Sequence, residues 1–249
     1  NGGSLINCTF VENSAATGSA IYLEGSLDID NCTFMRNNAS SEGAIAAQSK
    51  NLVINNSIFD NNYAKNYGAA IYTWSDSASI VVENSRFINN HVGQRGGAVF
   101  FTGKDCQISN SLFEKNRVDD YYAGFGGAID IDNTGDSTSI VNCSFNANYA
   151  ICGGAIYWMN DTSKKAVIAN STFEHNSAVY GGAIAILYNL NLIANSTFIN
   201  NKANTTSLTE TSQSDAKIYT FTGNENIRSL VGVESGNYLR FETYHLQLN

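Results

Sequence analysis

The stretch NSTFEHNSAVYGGAIA, residues 170–185, carries two marks that recur along the chain: an Asn-Ser/Cys-x-Phe block and a Gly-Ala-Ile block. Aligned on the phenylalanine, eight copies stand out, at Phe10, Phe34, Phe59, Phe87, Phe113, Phe145, Phe173 and Phe198. Their spacings are 24, 25, 28, 26, 32, 28 and 25 residues. An asparagine lies three residues before every anchor (Asn7 to Asn195) and another three residues after it (Asn13 to Asn201). An apolar residue lies five before each anchor, as at Ile54, Val82 and Ile108. An Ala-Ile or Ala-Val pair comes next in seven copies, from Ile21 to Ile184. Self-similarity at a period of about 25 residues marks a stacked-repeat architecture.

Within each copy the apolar residues alternate, as in Leu27-x-Ile29 and Ile129-Asp130-Ile131, and asparagine or glycine interrupts every segment. Period two in runs of three to five residues predicts short strands, and no helical period competes. Three short strands and three corners in each unit make one coil of a right-handed parallel β-helix, an all-β solenoid of about eight to ten coils in one domain. Residues 1–204 are read as the repeats. Residues 205–249 lose the pattern: 205–215 read as a Ser/Thr-rich loop, and 216–249 as modified coils or a transition to another module.

The repeated positions acquire physical roles in such a coil. Stacked phenylalanines fill the core, corner asparagines bond amide to amide along the axis, and the glycine suits a positive φ. Proline is absent, as expected where it would delete a ladder hydrogen bond, whereas asparagine, a turn former, occurs 34 times.

The formal charge of −8 argues against a nucleic-acid partner, and no apolar run is long enough for a membrane span. The chain opens inside a repeat, so it is read as a piece of a longer protein. Of the five cysteines, Cys8, Cys32 and Cys143 share a repeat position with serines, which suggests a small inward side chain; Cys8 and Cys32 are close enough in register for a disulfide.

The paired F-x-x-N and G-G-A-[ILV] motifs resemble the repeats of chlamydial polymorphic outer-membrane proteins. The Asn/Thr-rich composition and FTGNENI at 221–227 are similar to the adhesin-like surface proteins of methanogenic archaea. The resemblance spans roughly Leu5 to Asn201. It implies a β-helix displayed outside the cell, with adhesion to a host or microbial surface protein or glycan as its role. A monomeric rod is expected. Because the motifs occupy structural positions, they specify the fold and not the ligand.

Candidate site residues must come from the variation around the frame. If the isoleucine of Ala-Ile points inward, the next residue points outward, and that column reads Tyr22, Ala46, Tyr72, Phe100, Asp130, Tyr157 and Ala185. Tyr72, Trp74, Phe100 and Tyr157 are expected to form a solvent-facing aromatic strip that stacks on sugar rings or a protein partner. The longest coil adds Asp119, Asp120, Tyr121, Tyr122, Phe125, Asp130, Asp132 and Asp136. Asp130 and Asp132 are expected to make polar contacts or to hold Ca²⁺, whose oxygen-rich loops the run 130–136 resembles faintly. Asp119, Asp120, Asp130 and Asp132 are also the one carboxylate cluster a glycan-cleaving enzyme could use. No Ser/His/Asp set, phosphate loop or metal-binding histidine pair is legible, and His91 and His175 read as solvated turn residues; a non-enzyme is expected. Nine N-x-[ST] sequons occur. Those at the corner asparagines are expected to be buried in a ladder, leaving Asn38, Asn160 and Asn204 as exposed acceptors.

Overall fold

A computed structural model describes residues 2–48, 51–120, 124–133, 137–160, 165–188, 192–203, 227–234 and 238–242. All regular structure in these residues is strand, and the coils stack in parallel as a β-helix. Two sheets have eight strands each. Sheet A starts with Gly2–Ile6 and Ser26–Asp30, and sheet B with Thr9–Val11 and Thr33–Met35. A short sheet C includes Tyr63–Ala64, His91–Val92 and Arg117–Val118. Sheet D runs from Ile21–Leu23 through Ile71–Trp74, Val99–Thr102 and Ile129–Asn133 to Ile184–Tyr188. The eight layers of sheets A and B amount to about seven full turns. Ile227–Glu234 then joins sheet D in parallel, and Tyr238–Glu242 pairs with it antiparallel. The Ser/Thr-rich stretch expected as a loop lies outside the described residues.

The register is in phase throughout, so like residues meet. Phe59 pairs with Phe34 below and Phe87 above. From Phe10 to Phe198 the rings stack with centroids 4.7–5.0 Å apart and planes within 8°. Each ring buried this way contributes roughly 1.5–3 kcal/mol by transfer from water. Ile29, Ile54 and Val82 from sheet A and Ile71, Val99 and Ile129 from sheet D complete one continuous core.

The two asparagines of the repeat have separate jobs. The one after the phenylalanine is buried and builds an unbroken ladder. Asn116 donates Nδ2–H to Asn148 Oδ1 at 3.0 Å and to the Phe87 carbonyl at 2.9 Å. Its own Oδ1 accepts from the backbone N–H and the Nδ2–H of Asn90, each at 3.0 Å. All four bonds of the amide are made, and the same set joins the coils from Asn13 to Asn201. The asparagine before the phenylalanine is exposed at a corner with φ of 48–56°. This corrects the expectation that the corner sequons are buried: Asn7, Asn31, Asn142, Asn170 and Asn195 all face solvent. Asn38 is exposed as expected, whereas the side chain of Asn160 and all of Asn204 lie outside the description.

Three left-handed residues turn each coil. The first is this asparagine and the third is the repeat glycine, with φ of 47–69°. The second falls two residues after each phenylalanine, on Glu12, Arg36, Asn61, Asn89, Lys115, Ala147, His175 and Asn200. Most of these side chains have no special tolerance for positive φ, so the fold imposes the turn at a cost of about 1–2 kcal/mol each for the residues other than asparagine.

The cysteine–serine exchange is a hydrogen-bond ladder and not just a matter of size. Cys8 N–H donates to Cys32 Sγ, Cys32 N–H to Ser57 Oγ, Ser57 N–H to Ser85 Oγ and Ser85 N–H to Ser111 Oγ. Each hydroxyl or thiol donates back to the carbonyl two residues earlier, as Ser85 Oγ does to Glu83 at 2.7 Å. All five thiols are free; although Cys8 and Cys32 are stacked neighbours, the Cys32 thiol is turned to the Asp30 carbonyl, 3.3 Å away. Burial pushes the Cys143 thiol up to about 11, so it stays protonated and unreactive at neutral pH.

Asn116→Asp keeps the shape of the amide but removes both N–H donors and sets oxygen against oxygen in a dry core. It is expected to lower stability by about 3 kcal/mol or more, read by urea denaturation. Ala147 has φ of 54°, so Ala147→Gly relieves a left-handed alanine and is expected to add about 1 kcal/mol. Gly96→Ala is expected to do the reverse and more, because a Cβ there would lie 2.4 Å from the Val99 carbonyl oxygen; thermal melts of the two variants should move in opposite directions.

Candidate functional site

The residue before each corner glycine and the residue after each inward isoleucine lie on either side of one sharp reversal. Glu42, Tyr67, Arg95, Phe125, Cys152 and Tyr180 bridge in series along the axis. From Tyr67 on, their side chains fold over the outward column of sheet D. The Tyr67 ring lies 5.8 Å from Tyr72 and 5.1 Å from Phe100, and Phe125 lies 4.6 Å from Tyr157. The outward column is therefore directed away from the core but roofed. Phe100 and Tyr157 are 6% exposed and Asp130 is fully buried, against the expectation that all three face solvent. Part of this roof is a separate apolar cluster of Ile151, Cys152, Tyr157 and Ala185.

Arg95 is the centre of the covered part. Its Nε and Nη2 reach the two Asp130 oxygens at 2.6 and 3.1 Å, and Nη1 reaches Asp132 at 3.1 Å. The guanidinium also lies over Phe100, Phe125 and Tyr157, 5.1–5.9 Å from the ring centres. Burial pushes the Asp130 carboxyl up, to about 7, while Arg95 pulls it down. Arg95 is itself held strongly protonated, the two carboxylates outweighing its own desolvation. This arrangement corrects the roles expected of Asp130 and Asp132. Both Asp130 oxygens and one Asp132 oxygen are taken by a guanidinium, a competitor for Ca²⁺; no group of three or more metal-ligating side chains gathers among the described residues, outside which Asp136 of the same run lies.

The acids expected to cluster are divided. Asp130 and Asp132 belong to Arg95, whereas Asp119 contacts His91 Nε2 and lies 3.4 Å from Arg117 Nε. Tyr121 and Tyr122 lie outside the described residues. Arg95 and Tyr67 are absent from the sequence-based candidates; the signal for them is the place they share with Phe125, one residue before the glycine.

At the other end of the column the roof stops. Tyr22 is 53% exposed, and Tyr72 and Trp74 are half-buried. Trp74 stacks on Tyr72 at 5.0 Å and 16° and reaches across the ringless Ala46 to Tyr22 at 5.9 Å. Burial, with help from Glu42 and Tyr67, pushes the Tyr72 hydroxyl up to about 12, so it remains a neutral donor. The accessible part of the expected strip is thus an aromatic ridge of Tyr22, Trp74 and Tyr72.

Residues 1–162 match the family described as the right-handed β-helix region. No curated protein matches the chain, and no solved structure matches it.

Asp130→Asn leaves a half-buried guanidinium short of its counter-charge and is expected to cost about 3 kcal/mol or more. Replacing both partners, Arg95→Met with Asp130→Leu, should recover part of that loss, since only Asp132, which still reaches solvent, is then left without its cation. A double-mutant cycle on thermal unfolding reads the difference.

Proposed function

The chain belongs to the right-handed β-helix family, and from that premise we propose that it is an extracellular, cell-surface adhesin segment: a rigid monomeric rod that presents an outer face to a protein or glycan of another cell. The observation that carries this reading is the ridge of Tyr22, Trp74 and Tyr72. Three adjoining aromatic side chains stand partly in water on a solenoid whose core and corners are otherwise fully accounted for by the repeat. Aromatic faces of this kind stack on sugar rings or fill a partner's pockets. Phe100 packs behind the ridge against Tyr67 and Tyr72 and is covered by Arg95, which Asp130, Asp132 and Tyr157 hold in place. The net charge of −8 fits a partner other than nucleic acid.

The family also includes polysaccharide-cleaving enzymes. A non-catalytic role is favoured here because Asp130 and Asp132 are neutralised by Arg95 and stand apart from the Asp119 pair. A plain stalk is the second reading, supported by the buried ladders, which account for the repeat without any ligand.

The test is a glycan and cell-binding panel with the wild type, Trp74→Ala and Tyr22→Ala. Both substitutions are expected to weaken binding about tenfold or more, as loss of an interface aromatic does, while thermal unfolding stays within a few degrees. Binding that survives both changes would leave the stalk.

A further inference from the structure

Sheet C carries a second outward column, unrelated to the ridge. Tyr63, His91, Arg117 and Tyr149 occupy successive rungs. None of these residue types is required by the repeat, whose demands on this sheet are met by the buried Ala64, Val92, Val118 and Ala150. Tyr149 is 42% exposed, and the Arg117 side chain is 56% exposed. Tyr63 meets His91 edge to face at 5.2 Å. Asp119 touches His91 Nε2 and faces Arg117 Nε, so the imidazole and the guanidinium are held side by side.

The contrast with Arg95 points to a use. Arg95 is saturated by two carboxylates and three rings. Arg117 makes no side-chain hydrogen bond among the described residues, and its nearest carboxylate is at 3.4 Å from Nε. The Tyr63 and Tyr149 hydroxyls and His91 Nδ1 are likewise without partners among the described residues. A row of open donors with apolar bodies, beside a guanidinium whose ion pair with Asp119 meets it at Nε, is complementary to an anionic, ring-bearing ligand that takes the Nη edge.

We propose that the Tyr63–His91–Arg117–Tyr149 column binds the carboxylate of an acidic sugar at the end of a glycan. The Nη fork of Arg117 takes the carboxylate, which a planar guanidinium recognises in a bidentate manner. The Tyr149 ring supports the sugar face, and His91 Nδ1 and the tyrosine hydroxyls meet its hydroxyl groups. The three rungs from His91 to Tyr149 span about 10 Å at the spacing of paired strands, which is room for one sugar and its linkage and too short for a long chain. The site stands independently of the aromatic ridge.

Titration calorimetry with 3′-sialyllactose and with lactose tests this. The acidic sugar is expected to bind at least about tenfold more tightly than the neutral one, the worth of a charge-assisted pair. Arg117→Gln should abolish that difference, and Tyr149→Ala should weaken both sugars. Both positions are exposed, so thermal unfolding should be unchanged. Trp74→Ala should leave sialyllactose binding intact, which separates this site from the ridge. Equal affinity for the two sugars, no binding of either at millimolar concentration, or full selectivity in Arg117→Gln would overturn the assignment.

Discussion

Everything in this solenoid rests on the buried side-chain amide after each phenylalanine. A stacked ring is held by contact alone and tolerates sliding or rotation at little cost. An amide with two donors and two acceptor lone pairs does not. Asn116 directs its donors to Asn148 and to the Phe87 carbonyl, and its oxygen accepts from Asn90 twice. A shift by one residue would strand all four groups in a dry interior, each at about 1–3 kcal/mol. The ladder therefore sets which residue of one coil lies over which of the next, and the phenylalanine stack, the Ser/Cys ladder and the isoleucine core share that register.

The corners show what the register demands of the backbone. Each coil turns three times through the left-handed region. At the first corner asparagine takes that conformation cheaply, and at the third glycine is required, because a Cβ would lie 2.1–2.5 Å from the carbonyl oxygen two or three residues further along the same coil. The middle corner accepts glutamate, arginine, lysine, alanine or histidine. Its local strain is outweighed by the amide ladder that begins at the next residue, so side-chain identity there is free and the conformation is not.

On the outside of the rod, saturation of polar groups separates scaffold from surface. Around Arg95 every charge has its opposite and every ring a neighbour, in a roofed corner that acts as a second, smaller core. The ridge at Tyr22 and Trp74 and the column through Arg117 have apolar bodies or open donors facing water. The two kinds of position share one repeat and one strand geometry. What differs is whether the segment before the glycine brings a side chain long enough to close over its neighbour: Tyr67, Arg95 and Phe125 do so over Tyr72, Phe100 and Tyr157.

The sequence by itself determined the coil, its period, the stacked phenylalanines, the amide ladder and the glycine corners, because these are short-range requirements repeated in seven or eight copies and repetition makes them visible. It assigned the wrong asparagine to the interior, since both recur with equal regularity and only the path of the chain decides which one points in. It placed Phe100, Asp130 and Tyr157 correctly on the outer side of their sheet and yet could not see that they are covered. The covering residues lie four to five positions earlier across a left-handed reversal, or one coil away, as Arg95 is from Asp130. The same limit hid the pairing of His91 with Asp119, 28 residues apart. Alternation along a strand tells inside from outside; whether the outside meets water is a matter of what the next turn of chain lays over it, and only the tertiary structure decides that.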